Sequence, residues 1–421
     1  MSKSPIITGL DIGSDTIKIL SVRENPRTQE MDVLFSGDIN SSGVQKGRVC
    51  SPKEVGGKIS ELLAKAPKSQ TEQFGDVFVN INGSKIQLVP NRGLISVSRA
   101  DQKVCQEDID RILEETQNIN LPSNREVYDI FPRAWVLDGE SELKMPLGLE
   151  GVRLELEASL LSIFALDVDN VTDAAAEGGL EVESVMPSPL AASSAVLLPR
   201  QKELGVAVLD IGANTSGLTV YEEGNLLDLV IFPVGSANIT NDIAIGLKTE
   251  IDIAERIKRE FSSMDSEKRS KKDKGEQIGA SPKGYKHQEK EREPRRKNND
   301  LDFSQKQVKK IIEARVYEIF ELAQKELKKI NRQELLPAGV FLTGGGVKLP
   351  GIVDVSKKVL KLPSRIGYAQ GFNGLESDCA LATVCGLVIE SRKGGPRRTR
   401  LGPLNSGFAE KIKKVFKAFI P

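Results

Sequence analysis

The chain is predicted to be an α/β protein built from two related half-domains that face one ligand cleft. The prediction rests on a repeated phrase and on a glycine cluster that follows it. Gly9-Leu10-Asp11-Ile12-Gly13-Ser14-Asp15-Thr16 returns as Val208-Leu209-Asp210-Ile211-Gly212-Ala213-Asn214-Thr215, with the two aspartates 199 residues apart (210 minus 11). Each copy is an apolar strand that runs into Asp-x-Gly-x-x-Thr and then into a second apolar strand, Ile17 to Val22 or Leu218 to Tyr221. A single Asp-x-Gly turn is usually a hairpin connector, but two matched copies indicate a duplication. The glycine cluster is Val340-Phe341-Leu342-Thr343-Gly344-Gly345-Gly346, 133 residues beyond the second aspartate (343 minus 210), with a helical stretch from Ile352 to Leu360 behind it.

These residue types suit a phosphate ligand. Glycine lets the backbone come close, and the turn's N–H groups with a Ser or Thr hydroxyl can wrap an anion. Asp11 and Asp210, at the strand ends, are placed to hold waters of a hydrated Mg²⁺. A run of three glycines lets a flat ring or a phosphate lie on the backbone. The order of the three motifs resembles the actin-like ATPase superfamily, which includes actin, the heat-shock chaperone ATPase domain, sugar kinases and bacterial filament proteins. The resemblance implies ATP and Mg²⁺ as cofactors, with the first two loops on the phosphates and the third beside the adenosine.

Composition bounds the alternatives. At 421 residues the chain exceeds one core and suits two to four subdomains. Its 59 basic and 59 acidic residues cancel, so no global nucleic-acid signal exists. Cys50, Cys105, Cys379 and Cys385 lack CxxC spacing and have only His287 for company, which argues against zinc and for buried, reduced thiols. No apolar run approaches the roughly 18 residues of a membrane span, and the first residues lack a signal h-region, so neither secretion nor spanning is expected.

The C-terminus nevertheless reads as a membrane anchor. Phe408, Ile412, Val415, Phe416, Phe419 and Ile420 fall within an arc of about 140° at helical spacing, with Lys411, Lys413, Lys414 and Lys417 on the other face. Such a basic amphipathic helix suits an anionic inner leaflet, although stripes of this kind also dock on a protein's own core. The Gly-, Pro- and Arg-rich stretch from Glu390 to Ser406 separates the helix from the body as a basic tether. One short helix binds weakly, so useful attachment requires several copies together.

An actin-like ATPase with a tethered basic amphipathic tail resembles the FtsA family of bacterial cell-division proteins. The likeness extends to Met145-Pro146-Leu147-Gly148-Leu149-Glu150-Gly151-Val152-Arg153, to Gly235 through Ala244, to Ala254-Glu255-Arg256-Ile257-Lys258 and to Ile311 through Phe320. It implies an actin-like fold of two duplicated half-domains around a nucleotide cleft, each with a smaller subdomain, plus the C-terminal amphipathic helix. On this chain the first half is expected at 1–83 with 164–200, and an inserted subdomain at 84–163. The second half is expected at 201–240 with 338–390, and a capping and partner-binding subdomain at 241–337. The linker is 391–406 and the membrane helix 407–421.

Residue roles follow from the same resemblance. Gly13, Ser14, Asp15, Thr16 and Lys18 would take one side of the phosphates, and Gly212, Asn214 and Thr215 the other; Lys18 reads equally as a solvated strand residue. Gly235 and Asn238 would close the floor. Glu255 and Lys258 would reach ribose and adenine, or form only a surface ion pair at i and i+3. Gly344, Gly345, Gly346 and Lys348 would cover the adenosine. Chaperone-like relatives place a Glu in the run that here reads Ser188-Pro189-Leu190-Ala191-Ala192, so ATP binding with slow turnover is expected. Between Phe261 and Leu301 lie 12 basic and 8 acidic residues, a composition that reads as a solvated loop and replaces the family's hairpin. Arg295 and Arg296 there would meet the acidic C-terminal peptide of the tubulin-like division protein FtsZ. The resemblance further implies self-association into filaments, recruitment of later division proteins, and a peripheral place on the cytoplasmic face of the membrane at the division site. The rival readings are an actin-like pilus-assembly scaffold and a small-molecule kinase of the same superfamily.

Overall fold

The structure, a computed structural model, describes residues 4–67, 74–143, 145–261 and 305–392. Strands β1 (Ile6–Ile12), β2 (Thr16–Glu24) and β3 (Met31–Asn40) form an antiparallel meander. A hairpin of β4 (Val44–Gln45) and β5 (Arg48–Val49), helix α1 (Pro52–Leu63) and strand β6 (Asp76–Ile81) follow, with β6 parallel to β1. Then β7 (Gln87–Ser96), α2 (Gln106–Gln117), β8 (Arg125–Leu137), β9 (Glu140–Leu143) and β10 (Arg153–Phe164) build a separate antiparallel sheet in the order β7-β10-β8-β9. The chain returns through α3 (Ala165–Glu177), β11 (Val182–Pro187), α4 (Ser188–Val196) and α5 (Pro199–Leu204). A second meander, β12 (Val206–Ile211), β13 (Ser216–Glu222) and β14 (Asn225–Phe232), leads into α6 (Ser236–Leu247). After it come α7 (251–261) and α8 (Gln305–Lys329). Finally, β15 (Val340–Thr343), α9 (Ile352–Leu360), β16 (Ser364–Ile366), β17 (Phe372–Asn373) and α10 (Ala382–Arg392) complete the described chain.

The duplication is a duplication of topology. The first large sheet runs β11-β6-β1-β2-β3-β17 and the second β14-β13-β12-β15-β16. In both, the first strand of the meander pairs antiparallel with the second and parallel with a later strand, β1 with β6 and β12 with β15. Strands flanked on both sides and covered on both faces need unbroken apolar sequence. Val206–Ile211 supplies it up to its aspartate, and Ile6–Ile12 nearly so, its buried Thr8 being satisfied by Ser21 Oγ (2.9 Å); in each the aspartate is the next-to-last residue.

Two helices exchange places between the halves. Helix α4 follows β11, yet it packs on β13 of the other sheet, where a Cβ at Gly217 would lie 2.1 Å from Pro189 Cγ. Helix α10 comes after the strands of the second sheet and the short β17, and it lies on β1, where a Cβ at Gly9 would stand 2.7 Å from the Val384 carbonyl oxygen. The two helices cross where a Cβ at Gly386 would be 1.7 Å from the Ala191 oxygen. Only glycine tolerates these approaches, so the crossing is written into three positions.

The β7–β10 unit has its own core. Ile109, Ile112 and Leu113 lie on one face of α2 and pack with Leu154, Leu156 and Leu160 of β10 and with Trp135 of β8. The Met145–Arg153 stretch is strapped down by backbone bonds: Gly148 N–H donates to Val104 O (2.8 Å), Val104 N–H to Leu149 O (2.9 Å) and Gly151 N–H to Gln102 O (2.8 Å). On the other side, α8 buries Val308, Ile312, Val316, Phe320 and Leu327 along one stripe, and Arg315 grips Asp242 of α6 through Nε (2.7 Å) and Nη2 (2.9 Å).

Several expectations fall outside the described residues, among them the charged loop 262–300 with Arg295 and Arg296, most of the linker, and the helix 407–421. Among the cysteines, all free, Cys379 and Cys385 are buried as expected, whereas Cys50 is exposed at the end of the β4–β5 hairpin.

Asp228 in β14 is a strained carboxyl. Burial, and then the neighbouring Glu326, push it up to about 6; one oxygen accepts the Leu229 N–H (2.9 Å) and the other has no hydrogen-bond partner among the described residues. A carboxyl raised in the folded state binds its proton more tightly there than in the unfolded chain. Its favourable contribution is therefore complete below the unfolded value of 3.8 and is lost as pH rises through about 6. Asp228→Asn is expected to raise Tm by roughly 2 °C or more at pH 8 and to leave it unchanged at pH 4 in circular-dichroism melts. An equal shift at both pH values contradicts this.

Candidate functional site

The two repeated turns are closed by the same bond. Gly13 N–H donates to Thr16 O (3.1 Å), and Gly212 N–H donates to Thr215 O (2.9 Å). A Cβ at Gly13 would sit 2.6 Å from that threonine oxygen, which explains the glycine. Both turns open on one cavity of about 740 Å³ between the halves, lined by Gly13, Ser14, Asp15 and Thr16 from the first and by Gly212, Ala213 and Thr215 from the second. Each turn's hydroxyl is already addressed by a donor. Gly47 N–H, from the β4–β5 hairpin, donates to Ser14 Oγ (3.2 Å), and Asn82 Nδ2 donates across the cleft to Thr215 Oγ1 (3.1 Å).

Asp11 and Asp210 both line the cavity, but their surroundings differ. In the β1–β2 register Asp11 stands opposite Lys18, and in the β12–β13 register Asp210 stands opposite Gly217. Lys18 Nζ reaches Asp11 Oδ2 at 3.2 Å, with the lysine side chain only 17% exposed. Burial works against the ammonium, yet Asp11 first, then Asp210 and Asp15, hold its pKa above the ordinary value. Lys18 is thus a charged cleft residue rather than a solvated strand residue. Asp210 has no ion-pair partner among the described residues: desolvation, and then the Asp11 charge, push it up to about 7, against the more distant Lys18 charge and a 3.4 Å bond from Thr383 Oγ1. The floor of the cleft is short of positive charge.

Behind the second turn, α6 fixes its shape. Ser236 N–H donates to Gly212 O (2.9 Å) and Ala237 N–H to Ala213 O (2.7 Å), so two of the orphan donors of the helix N-terminus are satisfied by the turn itself. Gly235 is required because a Cβ there would lie 2.4 Å from Ala213 O, and Asn238 Oδ1 accepts the Gly235 N–H (2.9 Å). Gly235 and Asn238 therefore stand behind the turn, and neither they nor Asn214, within the turn, are among the residues lining the cavity.

Helix α7 contributes the next wall. Glu255 accepts from Lys258 (2.7 Å), Arg259 (2.8 Å) and Thr240 Oγ1 (2.6 Å), and Lys258 in turn donates to Thr240 Oγ1 (2.8 Å). Burial alone would raise this carboxyl, but these bonds hold it down at about 2. Glu255 and Lys258 form an ion pair, and it lines the cavity together with Arg259.

The third wall is the glycine cluster. Gly344 has φ +88°, donates its N–H to Cys379 O (3.1 Å), and lies so close to Asp210 that a Cβ would fall 2.3 Å from Oδ1. Gly345 to Lys348 form one 3₁₀ turn, and Lys348 pairs with Asp378 at the rim (2.7 Å). Cys379, buried and inert with its thiol pushed up to about 11 by burial and then by Asp378, backs this wall.

The cleft brings the two turns, Glu255 with Lys258, and the glycine cluster with Lys348 together. Sequence reasoning missed Asn80, Asn82, Gly47, Arg259, Asp378 and Thr383, all on the cavity wall. Asn80 did leave a signal, as a lone polar residue inside the apolar run Val77-Phe78-Val79-Asn80-Ile81.

Comparison with known proteins gives the family. The family model described as cell division protein FtsA matches residues 207–386, and the model of the SHS2 domain inserted in FtsA matches residues 83–162. The cell division protein FtsA of Neisseria meningitidis is 31% identical over 372 residues, covering 88% of this chain and 85% of the relative. The chain belongs to the FtsA family of cell-division proteins. FtsA of Bacillus subtilis is 29% identical over 402 residues, covering 92% of this chain and 87% of the relative. Among solved structures, a chain of the PilM–PilN type IV pilus biogenesis complex superposes with a TM-score of 0.62 at 18% identity, covering 91% of this chain and 98% of that one. MreB5 of Spiroplasma citri bound to ADP superposes with a TM-score of 0.50 at 12% identity, covering 93% and 97%. The fold is that of the actin-like ATPases.

The glycine cluster gives a direct test. Gly345 has open space around its Cβ position, whereas Gly344 is left-handed and pressed against Asp210. Gly344→Ala is expected to cost more than about 1 kcal/mol and lower Tm by several degrees, and Gly345→Ala to leave it unchanged. Equal melting of the two variants contradicts the packing described.

Proposed function

We propose that this chain binds ATP with Mg²⁺ between the two turns, assembles into filaments on the cytoplasmic face of the cell membrane at the division site, tethers the FtsZ ring there and recruits later division proteins. One observation carries the nucleotide reading: two matched turns, each preceded by a strand-end aspartate, open on a single cavity with a third glycine loop beside it. MreB5, of the same fold, is known bound to ADP and to AMPPNP, which supports a nucleotide as the occupant.

The residues fit the proposed ligands. Two carboxylates share one lysine, and Asp210 rises to about 7 for want of positive charge. Among the described residues no group of three or more His, Cys, Asp or Glu could hold a metal alone. That donor set suits a cation which keeps most of its waters and takes other ligands from phosphates, as Mg²⁺ does. When bound, Mg²⁺ neutralises phosphate charge. Asp11 and Asp210 would orient its waters, and Lys18 with the N–H groups and hydroxyls of Ser14, Thr16 and Thr215 would receive phosphate oxygens. Glu255 and Lys258 face the sugar and base side, and Gly344 to Gly346 leave room for the adenosine to lie on the backbone.

Grip exceeds cutting in this site. At the head of α4, where a water-positioning carboxylate would serve hydrolysis, stands Ser188, which accepts from Asn80 (2.9 Å) and donates to Ile81 O (3.4 Å). A neutral hydroxyl so engaged does not take up a proton from an attacking water. Turnover is expected below about 1 per second, the low end of ordinary enzyme rates, in a phosphate-release assay; faster release contradicts this.

Membrane attachment rests on residues 407–421, since no helix among the described residues is long and apolar enough to cross a membrane. The acidic FtsZ peptide is assigned to the 241–337 region, with Arg295 and Arg296 as its cationic contacts. Co-sedimentation with vesicles containing anionic lipid is expected for the full chain and lost for residues 1–406, with ATP strengthening the former through assembly. Retention by the shortened chain contradicts the anchor.

A further inference from the structure

Asn80 is 2% exposed near the end of β6, and its carboxamide is used at both ends. Its Oδ1 accepts the Ile12 N–H at 2.6 Å; because a backbone N–H only donates, this bond fixes which way the amide points. Its Nδ2 then faces Asp11 Oδ1 at 2.8 Å and Ser188 Oγ at 2.9 Å. The other Asp11 oxygen takes Lys18 Nζ. One side chain thus joins the strand-end carboxylate, the last residue of β1 and the head of the helix that crosses to the other half.

We propose that Asn80 is the positioning residue of this site, holding the Asp11 carboxylate in the one orientation from which it addresses a nucleotide-bound cation. The proposal rests on the nucleotide reading above. Lys18 alone pins a single oxygen of Asp11 and leaves the carboxylate free to turn about its terminal torsion; the Asn80 bond removes that freedom. An amide does so without cancelling the negative charge that a cation needs, which a second lysine would do. No other uncharged side chain of this length both accepts from Ile12 N–H and donates two hydrogen bonds. Glutamine has the same groups but places them one methylene further out, off the positions of the Ile12 N–H and Asp11 Oδ1. The arrangement is the outer-shell pattern known from metal sites, in which a group that touches no metal orients the carboxylate that does.

The test compares the full chain with Asn80→Leu, which keeps the branched heavy-atom shape without the hydrogen-bonding groups, and Asn80→Ala. Calorimetric Kd values are measured for ATP with excess Mg²⁺ and for ATP in EDTA, alongside Tm. Removing an outer-shell partner typically costs 10–100-fold in metal-dependent affinity. Both variants are expected to lose at least about tenfold for Mg·ATP and less than about twofold for metal-free ATP. A merely structural role would lower Tm and weaken both forms alike, and that result overturns the proposal. Unchanged Mg·ATP binding in a folded variant overturns it also, while leaving the nucleotide reading intact. Absence of magnesium-dependent ATP binding in the unaltered chain overturns both.

Discussion

The cleft depends on one backbone constraint used twice: a glycine N–H bonded to a threonine carbonyl three residues on, closing the turn after each strand-end aspartate. The bond closes each turn where it lines the cavity, and Asp11 and Asp210 stand at equivalent points of the two sheets. Everything around the turns reinforces them. The first is braced by the β4–β5 hairpin and by Asn80, and the second by the N-terminus of α6.

The halves are duplicates in topology and not in chemistry. Lys18 opposite Asp11 makes one side of the floor a paired carboxylate, while Gly217 opposite Asp210 leaves the other side uncompensated and frees the space that Pro189 of α4 fills. One substitution in register therefore does two things: it lets the crossing helix seat against the second sheet and it leaves a carboxyl that rises toward neutrality without a cation. Packing and electrostatics of the floor are set at the same position. The exchange of α4 and α10 ties both floors to one helix crossing, at Ala191 and Gly386.

The duplication was legible because its signal is local: glycine spacing, strand-end aspartates and unbroken apolar runs recur within a few residues of each other. Helix α9 was legible for the same reason, its bounds matching the Ile352 to Leu360 pattern. The role of Lys18 was ambiguous in one dimension, because the lysine lies seven residues from Asp11 and only the hairpin register sets them opposite each other. Asn82, Thr383 and the helix exchange were invisible, since each depends on segments brought together from more than a hundred residues apart. Gly235 and Asn238 were noticed for their family pattern, and their geometry gives them a different role, that of shaping the second turn from behind.

Whether the two strand-end aspartates address one cation on one triphosphate is the question on which the site turns. It is answered most directly by a crystal structure of the full chain with Mn²⁺ and a non-hydrolysable ATP analogue, read through the manganese anomalous signal. The expected result is a single peak between the Asp11 and Asp210 carboxylates, about 4 Å from each through intervening water, and touching the phosphates. A nucleotide in the cleft with its metal elsewhere, or a nucleotide bound outside the cleft, would contradict it.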